Sequence, residues 1–404
     1  MTERPTNWAG VAFGVALAAV AAFQQFKLPP VLPVLLERYG YDRTLAGGFM
    51  SVYALIGLLL SIGIGRWLER NGLHRGIVIA TGIMLAGNLL GLLLPEQGWV
   101  VLGGRALEGI AFAFAAIAGP TLAGASAGTG HRAIAIALVS AWIPIGQIAA
   151  GLLAPLALAA GHWQWLWLVA IAATLGLAAW SHRLARGGRL AMPAPHPGES
   201  GGAGWRREER LALVAGAGIF MIWSCQYFAY MTWLPQYLVE VRALGSIAAI
   251  FGYLLPVVVL VVFNLLTGEA LRRGVPVAPL LAAGATLQAI VWWLTMVSDS
   301  GGFGVALLVA YGVAAGVTPT CLFALPGAVL RRPAGASAFA WLMTGRNIGV
   351  FLGPILLAWA IQRSGGWGVA VPIFGAITTV CAAAAIALAF AMRSRATEAQ
   401  GTRR

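Results

Sequence analysis

The sequence predicts an all-α membrane protein with twelve transmembrane helices, and two observations carry this prediction. Of the 404 residues, 60% are hydrophobic and only 10% are charged, whereas a soluble domain has about 25% charged residues. The apolar residues also stand in long blocks between short polar breaks, and most blocks reach the ~20 residues that cross a bilayer. A soluble globular domain is therefore excluded.

Each half of the chain contains six predicted spans. In the first half they cover residues 8–35, 45–65, 75–94, 99–122, 133–158 and 163–183. In the second half they cover residues 210–238, 246–267, 276–297, 303–327, 335–361 and 367–392. The first span is too long for a cleaved signal peptide and lacks a small-residue cleavage site. We therefore expect the chain to keep all twelve spans.

The net charge of +13 follows the sides of the membrane. With the amino terminus in the cytoplasm, 19 of the 26 basic residues fall in cytoplasmic segments, four in outer loops and three within spans. This excess on one side is the positive-inside pattern and not a nucleic-acid patch. We expect a multi-pass protein of a bacterial inner membrane with both termini in the cytoplasm, in contact with lipid and not with nucleic acid.

Other chemistries find little support in the sequence. Cys225, Cys321 and Cys381 all fall within spans and have no paired spacing, so neither a disulfide framework nor a metal site is expected. The longest stretch outside the spans, residues 184–208, is too short for a catalytic domain. No nucleotide-binding motif is present. We expect neither an enzyme nor an ATP-driven pump, and no cofactor.

The chain repeats itself at an offset of about 200 residues. AWIPIGQIAAGLLAP at 141–155 aligns with AWLMTGRNIGVFLGP at 340–354, and Gln24 aligns with Gln226. Because each repeat has an even number of spans, the two halves are expected to run parallel about an axis along the membrane normal, with substrate between them. We predict a first half at 1–183, a cytoplasmic linker at 184–208 and a second half with a short cytoplasmic tail at 209–404.

A loop motif and the parallel repeat resemble the major facilitator superfamily. The loop after the second span reads GRWLERNGLHR, with Gly65, Glu69, Arg70, Gly72 and Arg75 in the family's order, and Glu69 replaces the usual Asp. The resemblance implies that Gly65 permits close helix approach and that Glu69 and Arg70 latch a cytoplasmic gate. A loop that only follows the positive-inside rule is the alternative.

The fourth span carries a second motif of that family, RALEGIA, in which Glu108 replaces the usual Gln. Arg105 and Glu108 are three residues apart on a helix, so they share a face and can pair. Either the pair is structural, or Arg105 lines the substrate cavity while Glu108 is titratable and couples transport to protons. The resemblance covers residues 8–392 and tilts towards the cyanate and nitroimidazole permeases. We expect a monomer.

Arg346 is the main candidate for substrate binding. It lies about twelve residues, or roughly 18 Å, into its span, too deep to reach the headgroups. Arginine is suited to bidentate contact with a carboxylate or similar oxyanion. We expect Arg346 and Asn347 to bind an anionic solute. The alternative is that Arg346 packs against carbonyl groups or pairs with Glu108.

Further polar and aromatic residues near the aligned positions are candidates for the same cavity. Lys27 either lines the cavity or reaches the outer headgroups along its own stem. The other candidate substrate-binding residues are Arg105, Gln24, Gln147, Gln226, Tyr227, Tyr230, Trp142 and Trp341. Trp163, Trp165 and Trp167 are predicted to lie in the interfacial aromatic belt.

The sequence thus predicts a secondary active transporter that moves a small anionic or polar organic solute by alternating access. Energy is expected from protons or from exchange of solutes. The alternative is a proton-driven exporter of amphipathic drugs or metabolites, favoured by the aromatic residues and by a partial exporter pattern, Gly349 to Gly353-Pro354. A receptor or scaffold without transport is a third reading, which the lack of a sizeable extramembrane domain disfavours.

Overall fold

A computed structural model describes residues 5–128, 131, 138, 141–187, 205–295, 301–331 and 336–401. Within these ranges the side chains of residues 62, 69, 336–337, 339–340 and 394–401 are outside the description. In the described part, twelve helical segments are long and apolar enough to cross a membrane, which confirms the predicted fold class.

The first predicted span consists of two helices joined by a short 3-10 turn, Pro29–Val31. The helices are α1 (Trp8–Phe26), α2 (Leu32–Tyr39), α3 (Arg43–Asn71), α4 (Leu73–Leu93), α5 (Gly98–Ser126), α6 (Trp142–Ala159), α7 (Gln164–Arg186), α8 (Arg207–Glu240), α9 (Ser246–Arg272), α10 (Val277–Leu294), α11 (Gly302–Val329), α12 (Ala336–Ser364) and α13 (Ala370–Gly401).

Local chemistry explains several helix ends. The break after α1 coincides with Pro29 and Pro30, which lack the backbone N–H that a continuing helix needs. The side chain of Asp42 caps α3 by accepting a hydrogen bond from the amide of Leu45 at 2.9 Å. Gly72, with a φ of 84°, separates α3 from α4, in a conformation that other residues adopt at a cost.

Contacts between residues divide the chain into two compact units. The first contains residues 1–196 together with 234–239 and 244–254, and the second contains 197–233, 240–243 and 255–404. The boundaries at residues 183 and 208 that the sequence suggests remain a prediction. Each unit is described separately below.

In the first unit, α5 is the central helix and packs against α1, α3 and α4. Small residues allow these helices to approach closely. A Cβ atom added at Gly104 would lie 2.7 Å from the carbonyl oxygen of Gly87, and one added at Gly87 would lie 2.8 Å from Cγ of Glu108. Close packing of glycines therefore brings α4 against α5 directly beside the one carboxylate of this helix.

In the second unit, three glycines on one face of α12 pack against the backbone of α8. Gly345 faces Ala217, Gly349 faces Met221, and the third glycine, at position 353, faces Cys225. In each case an added Cβ would overlap a backbone carbonyl oxygen. The glycines bring α12 and α8 to backbone contact, and Arg346 lies within this closely packed stretch.

We predict that Gly349→Ala destabilises the protein and that Gly218→Ala does not. The first change forces a methyl group into the carbonyl of Met221, whereas a Cβ at Gly218 meets no described atom within 4 Å. Overpacking of this kind costs about 1–3 kcal/mol. Thermal unfolding of the purified variants in detergent measures the difference, and equal midpoints for the two would contradict the close packing of α12 on α8.

Candidate functional site

A buried carboxylate organises the polar interior of the first unit. Glu108 on α5 is fully buried. Its Oε1 accepts a hydrogen bond from Nζ of Lys27 at 2.9 Å. Its Oε2 accepts from Nη1 of Arg105 at 2.6 Å and from the hydroxyl of Tyr53 at 2.5 Å. The predicted pairing of Arg105 with Glu108 is confirmed, and Lys27 and Tyr53 join it.

The guanidinium of Arg105 directs its donors to protein acceptors. Besides Glu108, it donates to the backbone carbonyls of Gln24 and Gln25, each at 2.8 Å, and of Phe49 at 3.1 Å. It also lies 4.4 Å from the ring centroid of Tyr53. These contacts tie the end of α1 and part of α3 to α5. A direct role of Arg105 in binding substrate remains a prediction.

Lys27, immediately after α1, has no exposed surface. Its Nζ donates to Oε1 of Gln24 at 2.7 Å and to Oδ1 of Asn88 at 2.6 Å, in addition to Glu108. It also lies 4.6 Å from the ring centroid of Trp167. The suggestion that Lys27 reaches the outer headgroups is therefore wrong. A buried carboxylate and two amide oxygens accept the hydrogen bonds of the ammonium and replace the water that would otherwise solvate it.

We call Lys27, Arg105 and Glu108, with their partners Tyr53, Gln24 and Asn88, the charge cluster. Two cations and one carboxylate give it a formal charge of +1 when every group is ionised, and each of these three side chains is at most 1% exposed. Such a group of charges is costly to bury unless each is paired and hydrogen-bonded. Nε2 of Gln24 extends the cluster to α7, where it donates to the carbonyl of Ala170 at 3.1 Å.

The second unit has a polar centre of different chemistry, built around Gln226 on α8. Its Oε1 accepts hydrogen bonds from the hydroxyl of Tyr311 at 2.9 Å, from Nε1 of Trp292 at 2.8 Å and from Nε2 of Gln288 at 3.4 Å. The ring of Tyr230 stacks on that of Tyr311 with centroids 3.8 Å apart. We call these five residues the amide–aromatic cluster.

The repeat places the two clusters in matching positions but gives only one of them ionic groups. Gln24 and Gln226 correspond at an offset of 202 residues, and each is buried and hydrogen-bonded. At the same offset, Ala229 takes the place of Lys27. The charges in the interior of the first unit are thus replaced by aromatic rings and neutral amides in the second.

Arg346 lies apart from the amide–aromatic cluster's hydrogen bonds. It is half-buried, about 15 Å along the axis from the start of α12. Its Nη1 donates to Oδ1 of Asn347 at 3.2 Å, and its guanidinium lies 5.4 Å from the ring centroid of Phe228. Arg346 takes no part in the ion pairs described in the second unit, which join Glu269 to Arg272 and to the arginine that follows it.

The remaining candidates are distributed over several environments. The structure brings together Gln24, Lys27, Arg105 and Glu108 in the first unit, and Gln226 and Tyr230 in the second. Tyr227 is buried and stacks on Trp223 at 4.9 Å. Trp142 is half-buried and stacks on Phe112 at 5.4 Å, Gln147 is buried, and Trp341 is exposed. Roles for these side chains in binding substrate remain predictions.

The predicted aromatic belt is wrong for two of its three tryptophans. Trp163 and Trp167 are each 2% exposed, and only Trp165 is exposed. Trp163 packs edge-on against Trp167 with centroids 5.0 Å apart, and Trp167 lies against Lys27. Trp167 thus lies against the charge cluster, and Trp163 packs on Trp167 and, edge-on, on Tyr39.

The loop motif presents Arg70 and Arg75 as exposed side chains on either side of Gly72. A Cβ added at Gly65 would meet no atom within 4 Å among the described residues, and the role of Gly65 in close helix approach remains a prediction. The side chain of Glu69 lies outside the described part. The predicted latch therefore remains a prediction.

A sequence profile of the Major Facilitator Superfamily matches residues 14–336. The chain belongs to this superfamily. It is accordingly a multi-pass membrane transporter of small molecules and not an enzyme, as the sequence predicts. Among curated proteins, no sequence matches the chain.

Solved structures of two transporters share the fold of this superfamily member. One is a variant of the nucleoside transporter NupG, with 14% identity over 95% of this chain and 99% of that chain, and a TM-score of 0.65. The other is a bacterial homologue of the human lysosomal transporter Spinster, inward-facing and unoccupied, with 14% identity over 95% and 94% of the chains and a TM-score of 0.70. At this identity they support the fold alone.

Sequence reasoning missed five members of the clusters, namely Tyr53, Asn88, Gln288, Trp292 and Tyr311. Asn88 carries a usable signal, because it is a lone amide deep within an otherwise apolar span. The aromatic members carry none, because tyrosine and tryptophan within spans serve equally well in packing. Their roles appear only when α3, α10 and α11 are placed beside their neighbours.

We predict that Glu108→Gln destabilises the protein more than Lys27→Gln. The first change leaves two buried cations without a counter-charge, a loss of roughly 3–5 kcal/mol, whereas the second leaves the balanced pair of Arg105 with Glu108. Glu108→Gln keeps the size of the side chain, whereas Lys27→Gln shortens it, so a larger loss in the first variant reports the missing charge and not lost volume. Thermal unfolding of the two proteins in detergent tests the order, and the reverse order would show that the carboxylate is not the central group.

Proposed function

We propose that this transporter moves a small anionic or polar organic solute by alternating access and that Arg346 binds the anionic group. The observation that supports this most directly is the environment of Arg346. Its guanidinium is half-buried in a membrane-spanning helix, over an aromatic ring and beside a neutral amide. A cation in such surroundings is stabilised by a polar or anionic partner, and a solute carboxylate supplies one.

The balance of charges favours an anion over a cation. Within the described spans, the charge cluster already carries one more positive than negative charge, and Arg346 adds another. A cationic solute would approach this excess of positive charge at an energetic cost. An anionic solute would instead be attracted by this excess of positive charge.

The apolar surroundings of Arg346 suit an organic solute better than a small inorganic ion. The guanidinium lies over Phe228, whose ring contacts that of Tyr227 with centroids 5.4 Å apart. Binding sites for organic molecules combine apolar walls with a few polar groups that fix orientation. A carboxylate at Arg346 with an organic body against these rings fits that pattern.

We propose protons or solute exchange as the source of energy, with the charge cluster as the coupling centre. Glu108 is the candidate that the sequence suggests. Two cations and a tyrosine hydroxyl surround its carboxylate, so a change in protonation within the cluster alters contacts among α1, α3, α4 and α5. Binding or release of a proton would therefore change how these helices of the first unit are held together.

The proposed setting is a bacterial inner membrane with both termini in the cytoplasm and a monomer as the working unit. The distribution of arginines along the chain supports this orientation.

Export of amphipathic drugs or metabolites is the second candidate function. The amide–aromatic cluster favours it, because stacked rings around a neutral amide can accommodate flat apolar solutes. The excess positive charge disfavours cationic drugs within this group. Neutral or anionic amphiphiles are then the solutes to compare.

We predict that small carboxylates stabilise the wild-type protein and fail to stabilise Arg346→Ala. A ligand that binds only the folded state raises the unfolding temperature by mass action. The measurement is a thermal-shift screen with a carboxylate series such as benzoate and acetate, with neutral counterparts such as benzamide and a nucleoside, and with cationic amphiphiles. Arg346→Lys is expected to bind weakly, because an ammonium lacks the bidentate geometry.

Arg363→Ala is the matched control, since it removes an exposed arginine from the same helix. This variant should respond to carboxylates as the wild type does. Stabilisation by carboxylates that persists in Arg346→Ala would return Arg346 to a structural role. Stabilisation only by neutral or cationic amphiphiles would favour the exporter.

A further inference from the structure

Lys27 is the only lysine in the chain, and the other 25 basic residues are arginines. The two side chains differ in one chemical respect that matters in a buried site. Arginine stays protonated in proteins, whereas lysine can lose its proton. This single lysine lies in the charge cluster. It has no exposed surface, and its described hydrogen bonds are to residues of the first unit.

From this position we propose that Lys27, rather than Glu108, is the group of the charge cluster that binds and releases the proton. With both cations charged, the cluster has a formal charge of +1. Release of one proton from the ammonium of Lys27 leaves a neutral amine beside the balanced pair of Arg105 and Glu108. Proton uptake by Glu108 instead leaves two buried cations with no counter-charge, which is the costlier state.

The groups around Lys27 support this assignment from every side. On α5 it faces Glu108 and, beyond the carboxylate, Arg105. On α3 the hydroxyl of Tyr53 donates to the same carboxylate. The neighbours on α4 and α7, Asn88 and the ring of Trp167, carry no charge, and the sequence of α6 contains no titratable residue. The balance of charge around Lys27 is thus set by the cluster itself.

The hydrogen bonds of Lys27 give the proton a structural effect. The ammonium has three N–H donors, and it uses them on Gln24, Asn88 and Glu108 at 2.7, 2.6 and 2.9 Å. The neutral amine has only two N–H groups and a lone pair that needs a donor. One of the three contacts must then break or reverse, which loosens the link of Lys27 to α4, to α5 or to the end of α1.

This inference rests on the proposed coupling to protons, and it changes the residue that carries the proton. It assigns to Glu108 a different task, that of a fixed counter-charge which holds Arg105 in both states of Lys27. Glu108 would then be required for the integrity of the cluster and not for proton exchange itself.

The test uses the single lysine as its own spectroscopic label. Protein grown with lysine enriched in ¹³C at Cε gives one side-chain resonance, from Lys27, whose chemical shift differs between the ammonium and the amine. We expect this resonance to move from the ammonium to the amine position within the pH range in which the wild-type protein in detergent stays folded. An ammonium shift that persists at every pH from about 6 to about 9 overturns the proposal.

Two variants make the assignment specific. Glu108→Gln removes the negative charge beside the ammonium, so the resonance should change at a lower pH than in the wild type. Arg363→Ala, a surface change in the second unit, should leave the wild-type profile unaltered. If Glu108→Gln does not fold, the wild-type and Arg363→Ala profiles still decide the question, since the proposal requires both to titrate alike.

The outcome is separable from that of the carboxylate screen. If the Lys27 resonance titrates but no carboxylate stabilises the protein, the proposal for Lys27 stands and the proposal of an anionic solute fails. Carboxylate stabilisation with a lysine that stays charged keeps the anion and removes Lys27 as the proton carrier.

Discussion

The carboxylate of Glu108 and its three donors are the interaction on which the interior of the first unit depends. Lys27, Arg105 and Tyr53 all converge on two oxygen atoms, and through them four helices share one network. Burying two cations in a membrane protein is costly without a counter-charge. Close packing of Gly87 on Gly104 brings α4 beside this carboxylate. Packing and electrostatics thus reinforce each other at the same point of α5.

The two halves apply one plan to two chemistries. Each unit has a buried glutamine at the same repeat position and close glycine packing between helices. The first unit places ionic groups around its glutamine and the second places aromatic rings. A transporter of this superfamily that recognises an organic anion has use for both, because charge responds to protons while rings and Arg346 suit a solute. We propose that the first unit responds to protons and that the second unit binds the solute.

Much of the fold follows from the sequence, because length and hydropathy determine which segments can cross a bilayer. The pair of Arg105 with Glu108 also follows, since both residues lie on one helix. The position of Lys27 does not follow, because it sits beside two prolines where the direction of the chain depends on tertiary packing. Tertiary packing also buries Trp163 and Trp167, which composition places at the interface. Side chains that meet only across helices, such as Gln226 and Tyr311, leave no pattern along the chain.

The central claim is that Glu108 holds the helices of the first unit together around the charge cluster. Hydrogen–deuterium exchange of Glu108→Gln, compared with the wild type in the same detergent, tests this directly because it reports local opening along the chain. The account predicts faster amide exchange in α1, α3 and α5 around the charge cluster and unchanged exchange in α10 and α11. Unchanged protection in α1, α3 and α5, or an equal loss of protection in both units, would contradict it.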